Sequence, residues 1–71
     1  MKRLSQDEMD MIRAINSDPS APLKAVKNLW VSDTGKKNPE QVLTMLEAKA
    51  LVIIDLEDDF VMLTPQAMRL V

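Results

Sequence analysis

The sequence predicts a small α+β domain of three helices, a β-hairpin and a short C-terminal helix. Three observations lead there. Strong helix-start signals stand at Ser5-Gln6-Asp7-Glu8, Asn38-Pro39-Glu40-Gln41 and Thr64-Pro65. Apolar residues recur at helical spacing as far as Ala50, and from Val52 to Leu63 the period falls to two. The chain of 71 residues is long enough for one core and too short for two.

The first helix is expected over residues 5–16. Ser5 and Glu8 fit a capping box, Leu4 and Met9 occupy the hydrophobic-staple positions, and Asp7 and Glu8 suit the positive helix end. Asn16-Ser17-Asp18-Pro19 stops it, because a residue before proline resists the α region. The second helix is expected over 22–31, with Ser20 or Ala21 as cap and Pro22 in the first turn. Leu23, Val26, Leu29 and Trp30 form its apolar stripe, and Lys24, Lys27 and Asn28 take the other face. Ser32 to Lys37 is a turn holding the only glycine, Gly35.

The third helix is expected over 39–49, with Asn38 as cap, Pro39 at N1 and Gln41 at the N3 place of a capping box. Val42, Leu43, Leu46 and Ala50 mark its buried face. The hairpin is expected over 52–56 and 60–64 around a turn at Asp58-Asp59. That loop sets Leu56 against Val61 and Ile54 against Leu63 on one side, with Asp55 opposite Met62 on the other. Thr64-Pro65 opens a last short helix with Ala67, Met68 and Val71. The expected core is Leu4, Ile12, Ile15, Leu23, Val26, Leu29, Leu43, Leu46, Leu51, Ile54, Val61 and Leu63, with Trp30 in register beside it.

Composition narrows the chemistry. The chain has no cysteine and no histidine, which removes disulfides, thiol nucleophiles, imidazole bases and nearly every zinc site. Hydrophobic residues make up 46% and the net charge is -2. A mean hydropathy of -0.10 fits an ordinary globular domain. The longest apolar run, Ala50 to Ile54, is far below a membrane span, and the first residues form no signal-peptide core, so a cytoplasmic location is expected. No nucleophile, cofactor loop or pocket signature accompanies the carboxylates, so neither an enzyme nor a cofactor is expected. Asp55, Glu57, Asp58 and Asp59 lack EF-hand spacing and its glycine, so no metal site is expected either. A chain this short gains from a partner or a homodimer contact.

Helix, helix, turn, helix, hairpin, helix is the order of a winged helix-turn-helix. Val42-Leu43-Thr44-Met45-Leu46-Glu47-Ala48-Lys49-Ala50-Leu51-Val52 resembles the exit of the recognition helix in MarR-like transcription regulators, V-x-x-x-L-E-x-K-G-L-V. Val61-Met62-Leu63-Thr64-Pro65-Gln66-Ala67 is similar to the V-x-L-T-x-x-G that closes their wing. The resemblance covers about residues 23–71. It implies a DNA-binding regulatory domain that docks on double-stranded DNA, as a dimer or with a partner. The chain departs from that pattern in three places. Ala50 and Ala67 stand where the family has glycine, its long dimerisation helices are absent, and the wing tip carries four acids (Asp55, Glu57, Asp58, Asp59) where a basic wing is usual.

Two candidate sites follow. Residues 24–38 hold Lys24, Lys27, Lys36 and Lys37 against Asp33 alone, a net of +3. This basic elbow is expected to touch phosphates, with Gln41 and Thr44 turned to base edges. Residues 39–71 carry a net of -4, with six acids against Lys49 and Arg69. The alternative is therefore a protein-interaction module with little DNA affinity, using Asp55, Glu57, Asp58 and Asp59 with Phe60 and Met62. Ile53, Phe60 and Met62 form an apolar strip, expected as core beneath the last helix, or else as an interaction strip. Glu57 and Asp59 are both expected to be solvated tip residues whose substitution leaves stability unchanged.

Overall fold

The computed structural model describes residues 4–70. Its elements run α1 (Gln6–Ser17), α2 (Leu23–Thr34), α3 (Pro39–Ala48), β1 (Val52–Asp55), β2 (Phe60–Leu63) and α4 (Pro65–Met68). Among the described residues the domain is thus α+β, four helices with one antiparallel hairpin. Val71, expected in the last helix, lies outside the described residues.

Helix α1 begins as its sequence dictates. The Ser5 hydroxyl accepts from the Glu8 N–H at 3.2 Å, and Glu8 Oε1 accepts from the Ser5 N–H at 3.0 Å. Helix α2 departs from expectation at both ends. It starts without a side-chain cap of its own, and it continues past residue 31 until Gly35 turns it off at φ 74°. There the Gly35 N–H reaches the Val31 carbonyl at 2.9 Å. The three extra residues carry Thr34, whose hydroxyl donates to the Trp30 carbonyl at 2.8 Å and so keeps the last turn helical. Helix α3 has Pro39 at its first turn, but Asn38 makes no side-chain cap. Its amide instead donates to Gln41 Oε1 at 3.2 Å, so the two side chains meant for the backbone pair with each other.

The exit of α3 is a Schellman turn. The Ala50 N–H bonds the Glu47 carbonyl and the Leu51 N–H bonds the Leu46 carbonyl, both at 3.0 Å. Ala50 sits at φ 59°, the left-handed conformation for which glycine is the usual residue. The local geometry of the glycine exit is therefore present with an alanine in it.

In the hairpin Val52 pairs with Leu63, Ile53 with Met62, Ile54 with Val61 and Asp55 with Phe60. The expected register was two residues further along, with Leu56 opposite Val61. The loop is Leu56 to Asp59, and Leu56 is 80% exposed at its tip. Asp55 explains the shift: its Oδ1 accepts from the Glu57 N–H at 3.1 Å and the Asp58 N–H at 3.2 Å, turning the chain two residues early. Because the slip is two residues, the inward and outward faces stay as expected.

The core gathers Met11, Ile12 and Ile15 of α1, Leu23, Val26 and Trp30 of α2, Val42, Leu43 and Leu46 of α3, and Leu51, Val52, Val61, Leu63 and Ala67. Leu4 and Ile54 pack against it half-buried. Leu29, expected inside, is 46% exposed, because Val26 and Trp30 already fill the inward face of α2. Polar links also hold α1 to α2 and to the exit of α3. Trp30 Nε1 donates to the Asp7 carbonyl at 3.1 Å. Lys49 Nζ lies 2.6 Å from Glu8 Oε2, and Glu8 is only 2% exposed.

Candidate functional site

Helices α2 and α3 and the turn between them present the predicted basic elbow, and two of its four lysines stand beside carboxylates. Lys36 Nζ lies 2.6 Å from Asp7 Oδ1, tying the turn to α1. Lys27 Nζ stands 3.8 Å from Glu40 Oε1 on α3. Lys24 and Lys37 extend into solvent without such a carboxylate among the described residues. Gln41 and Thr44 are exposed on α3, with the Thr44 hydroxyl donating to the Glu40 carbonyl at 2.9 Å and Gln41 accepting from Asn38. Helix α3 contains no lysine or arginine and carries Glu40 and Glu47 on its exposed side. A phosphate backbone laid along it meets like charge.

The four acids of the hairpin tip divide into two pairs with different work. Asp55 shapes the loop through the bonds already described. Asp59 takes φ 51° and reaches α2: its carbonyl accepts from the Leu23 N–H at 2.8 Å and its Oδ1 from the Lys24 N–H at 3.2 Å. It caps, from the hairpin, the helix that has no cap of its own. The expectation that Asp59 is a solvated tip residue is therefore corrected, and no local signal announces a cap supplied from so far along the chain. Glu57 and Asp58 keep their side chains exposed. Among the described residues no cluster of three or more acids is arranged to hold a metal ion.

The outward face of the hairpin carries Ile53 (51% exposed), Phe60 (38%) and Met62 (42%). The burial expected for this strip beneath the last helix does not occur. Helix α4 is four residues long and turns Ala67, not Met68, into the core, leaving Met68 52% exposed. Phe60, Met62 and Met68 line a hollow of about 210 Å³ together with Ile15, Asn16, Pro19 and Leu63. Strand alternation places Ile53, Phe60 and Met62 on one face, and the hollow lies beside β2, between Phe60 and Met62, the inward-facing Leu63 and the end of α1. A hollow with apolar walls and a single amide can take an apolar side chain. It offers no paired acid and base for catalysis.

Both candidate surfaces thus lie on known elements, the elbow with two of its four lysines paired to Asp7 and Glu40 and the hairpin face apolar with an acidic border. Comparison with known proteins finds no matching family model, no matching curated protein and no matching solved structure.

Proposed function

We propose that the chain is a winged helix-turn-helix domain whose wing recognises protein, its outward face receiving an apolar segment that also carries basic residues. The order of three helices followed by a hairpin supports the winged-helix reading. The half-exposed row of Phe60, Met62 and Met68 around the 210 Å³ hollow carries the functional one. Apolar groups grouped around a concavity are the usual core of an interface, and methionine adapts to irregular partners. Glu57 and Asp58 at the loop supply acidic groups that favour a basic partner and steer its approach.

The DNA reading retains one favourable observation, the exposure of Lys24, Lys37, Gln41 and Thr44 on neighbouring elements. Against it stand the ion pairs of Lys27 and Lys36 and the absence of any base on α3. Few free cations make few phosphate contacts, and affinity falls with each one lost.

Amide NMR titration separates the two. A model peptide alternating leucine and lysine is expected to shift Phe60, Met62 and Met68, and Met62→Asp is expected to abolish the effect. A mixed-sequence duplex at low salt is expected to shift nothing. Duplex binding mapped to Lys24, Lys37, Gln41 and Thr44, with no peptide response, overturns the proposal in favour of DNA.

A further inference from the structure

The end of α1 carries a row of acceptors that its own sequence leaves without donors. The last carbonyls of a helix have no helical N–H to receive. At Ile15 the donor is excluded covalently, because Pro19 stands four residues on and has no N–H. Helices α2 and α3 close their ends, the first through the Gly35 N–H on the Val31 carbonyl and the second through its Schellman turn. Asp18, which ends α1 at φ -146° and ψ 85°, forms neither closure. The Ser17 hydroxyl donates to the Ala14 carbonyl at 2.8 Å. Among the described residues no donor reaches the carbonyls of Ile15, Asn16 or Ser17.

This helix end is negative and holds no base. The carbonyl dipoles point along the axis past Ser17, where a cation is favoured. The last turn of α1 contains none, and Arg13, the last base of the helix, turns back to Asp10 at 3.9 Å. Asp18 adds a full charge on an exposed residue. Its Oδ1 accepts from the Ser20 hydroxyl at 3.0 Å, and among the described residues no lysine or arginine pairs with it. Asn16 and Pro19, on either side of this acid in the chain, line the apolar hollow.

We propose, resting on the reading of the outward face as a receptor for protein, that the bound segment sets an arginine or lysine directly beside its apolar anchor, and that this cation closes α1. The anchor fills the hollow against Met62 and Met68. The neighbouring cation donates to the carbonyls at the end of α1 and faces Asp18, as a basic side chain of the helix itself does elsewhere. A guanidinium suits the place best, since its several N–H groups can meet carbonyls and a carboxylate together. Glu57 and Asp58 draw the segment in from the loop, and the end of α1 fixes which of its residues enters the hollow.

Amide NMR titration with two capped alanine-based peptides tests it, one holding Leu-Arg and one with citrulline in place of the arginine, which keeps the shape and removes the charge. Both are expected to shift Phe60, Met62 and Met68. The arginine peptide is expected to bind about three- to tenfold more tightly and to shift the Asp18 amide as well. Asp18→Lys supplies the missing cation from the chain itself, so it is expected to melt no lower than the parent and to lose the preference. Asp18→Asn, which keeps an oxygen for Ser20, is expected to reduce it. Glu57→Gln with Asp58→Asn is expected to weaken both peptides alike and to retain it. Equal binding of the two peptides to the parent overturns the proposal and leaves the outward face a receptor. So does a preference for arginine undiminished in both Asp18 variants, or one abolished by neutralising Glu57 and Asp58. Peptides that shift none of Phe60, Met62 and Met68 overturn the reading of the face together with the cation site.

Discussion

Lys49, at the end of α3, places its ammonium 2.6 Å from a Glu8 carboxylate that is only 2% exposed, while the other Glu8 oxygen closes the capping box of α1. Burial alone pushes the Glu8 carboxyl up. The Lys49 ammonium, the Ser5 backbone and side chain, and the charge of Lys49 outweigh it and hold the group below its ordinary value. The folded state therefore binds this proton less readily than the unfolded chain. Its stabilisation is complete above the ordinary glutamate range and is lost as pH falls through the depressed value. Glu8→Gln is expected to lower stability at neutral pH by about 2 kcal/mol, since it leaves Lys49 without its charge partner. The same change is expected to flatten the acid side of the stability curve. Urea unfolding at a series of pH values checks both, and an acid limb as steep as the parent's counts against the coupling.

Ala50→Gly is expected to stabilise the domain. An alanine at φ 59° carries left-handed strain of about 1–2 kcal/mol, and glycine's greater unfolded-state freedom returns part of it. The net gain is about 0.5–1 kcal/mol, a rise of about 2–8 °C in melting temperature for a domain of this size. A melting temperature that falls shows that the Cβ of Ala50 contributes packing that outweighs the strain.

Glu57 and Asp59 are expected to part company under substitution. Glu57→Lys alters an exposed side chain and is expected to stay within about 0.5 kcal/mol. Asp59→Lys removes the acceptor for the Lys24 N–H and puts a poorer residue at positive φ, with an expected cost of about 1–2 kcal/mol. Asp59→Asn keeps an oxygen and tolerates φ 51°, so it is expected to recover most of the loss. Equal melting temperatures for Asp59→Lys and Asp59→Asn contradict the cap.

Two leucines on neighbouring helices test the packing. Leu46 of α3 is fully buried, and Leu46→Ala is expected to cost about 2–5 kcal/mol. Leu29 of α2 has nearly half its surface in solvent, and Leu29→Ala is expected to cost less than about 1 kcal/mol. Thermal unfolding of the two variants side by side reads the contrast directly.

What the sequence made legible was local. The Ser5/Glu8 box, Pro39 at the start of α3 and the Thr64 cap, which accepts from the Ala67 N–H, are contacts three residues apart or closer. The alternation of the hairpin was equally readable, since Val52 and Ile54 share one face and Val61 and Leu63 pair with them. Its register was not, because moving a strand by two residues leaves every side chain on the same face. What decided it was Asp55 folding onto its own loop. The elbow lysines were visible as charges, but Asp7 opposite Lys36 and Glu40 opposite Lys27 are tertiary pairings that no spacing reveals. The exposed face was mistaken for core because four residues of α4 cannot cover it, and element length was the least certain quantity in the sequence.

The cap that Asp59 lends to α2 also has a consequence in time. The first turn of α2 depends on a side chain 35 residues away, so the helix cannot finish its own N-terminus before the hairpin loop has closed and docked. Closing that long a segment is slow compared with helix growth. Nucleation at Leu23 and hairpin closure at Asp59 are thereby bound into one cooperative event. Perturbing either end should retard refolding by the same route, and a domain this small has little opportunity to populate the elbow without the wing.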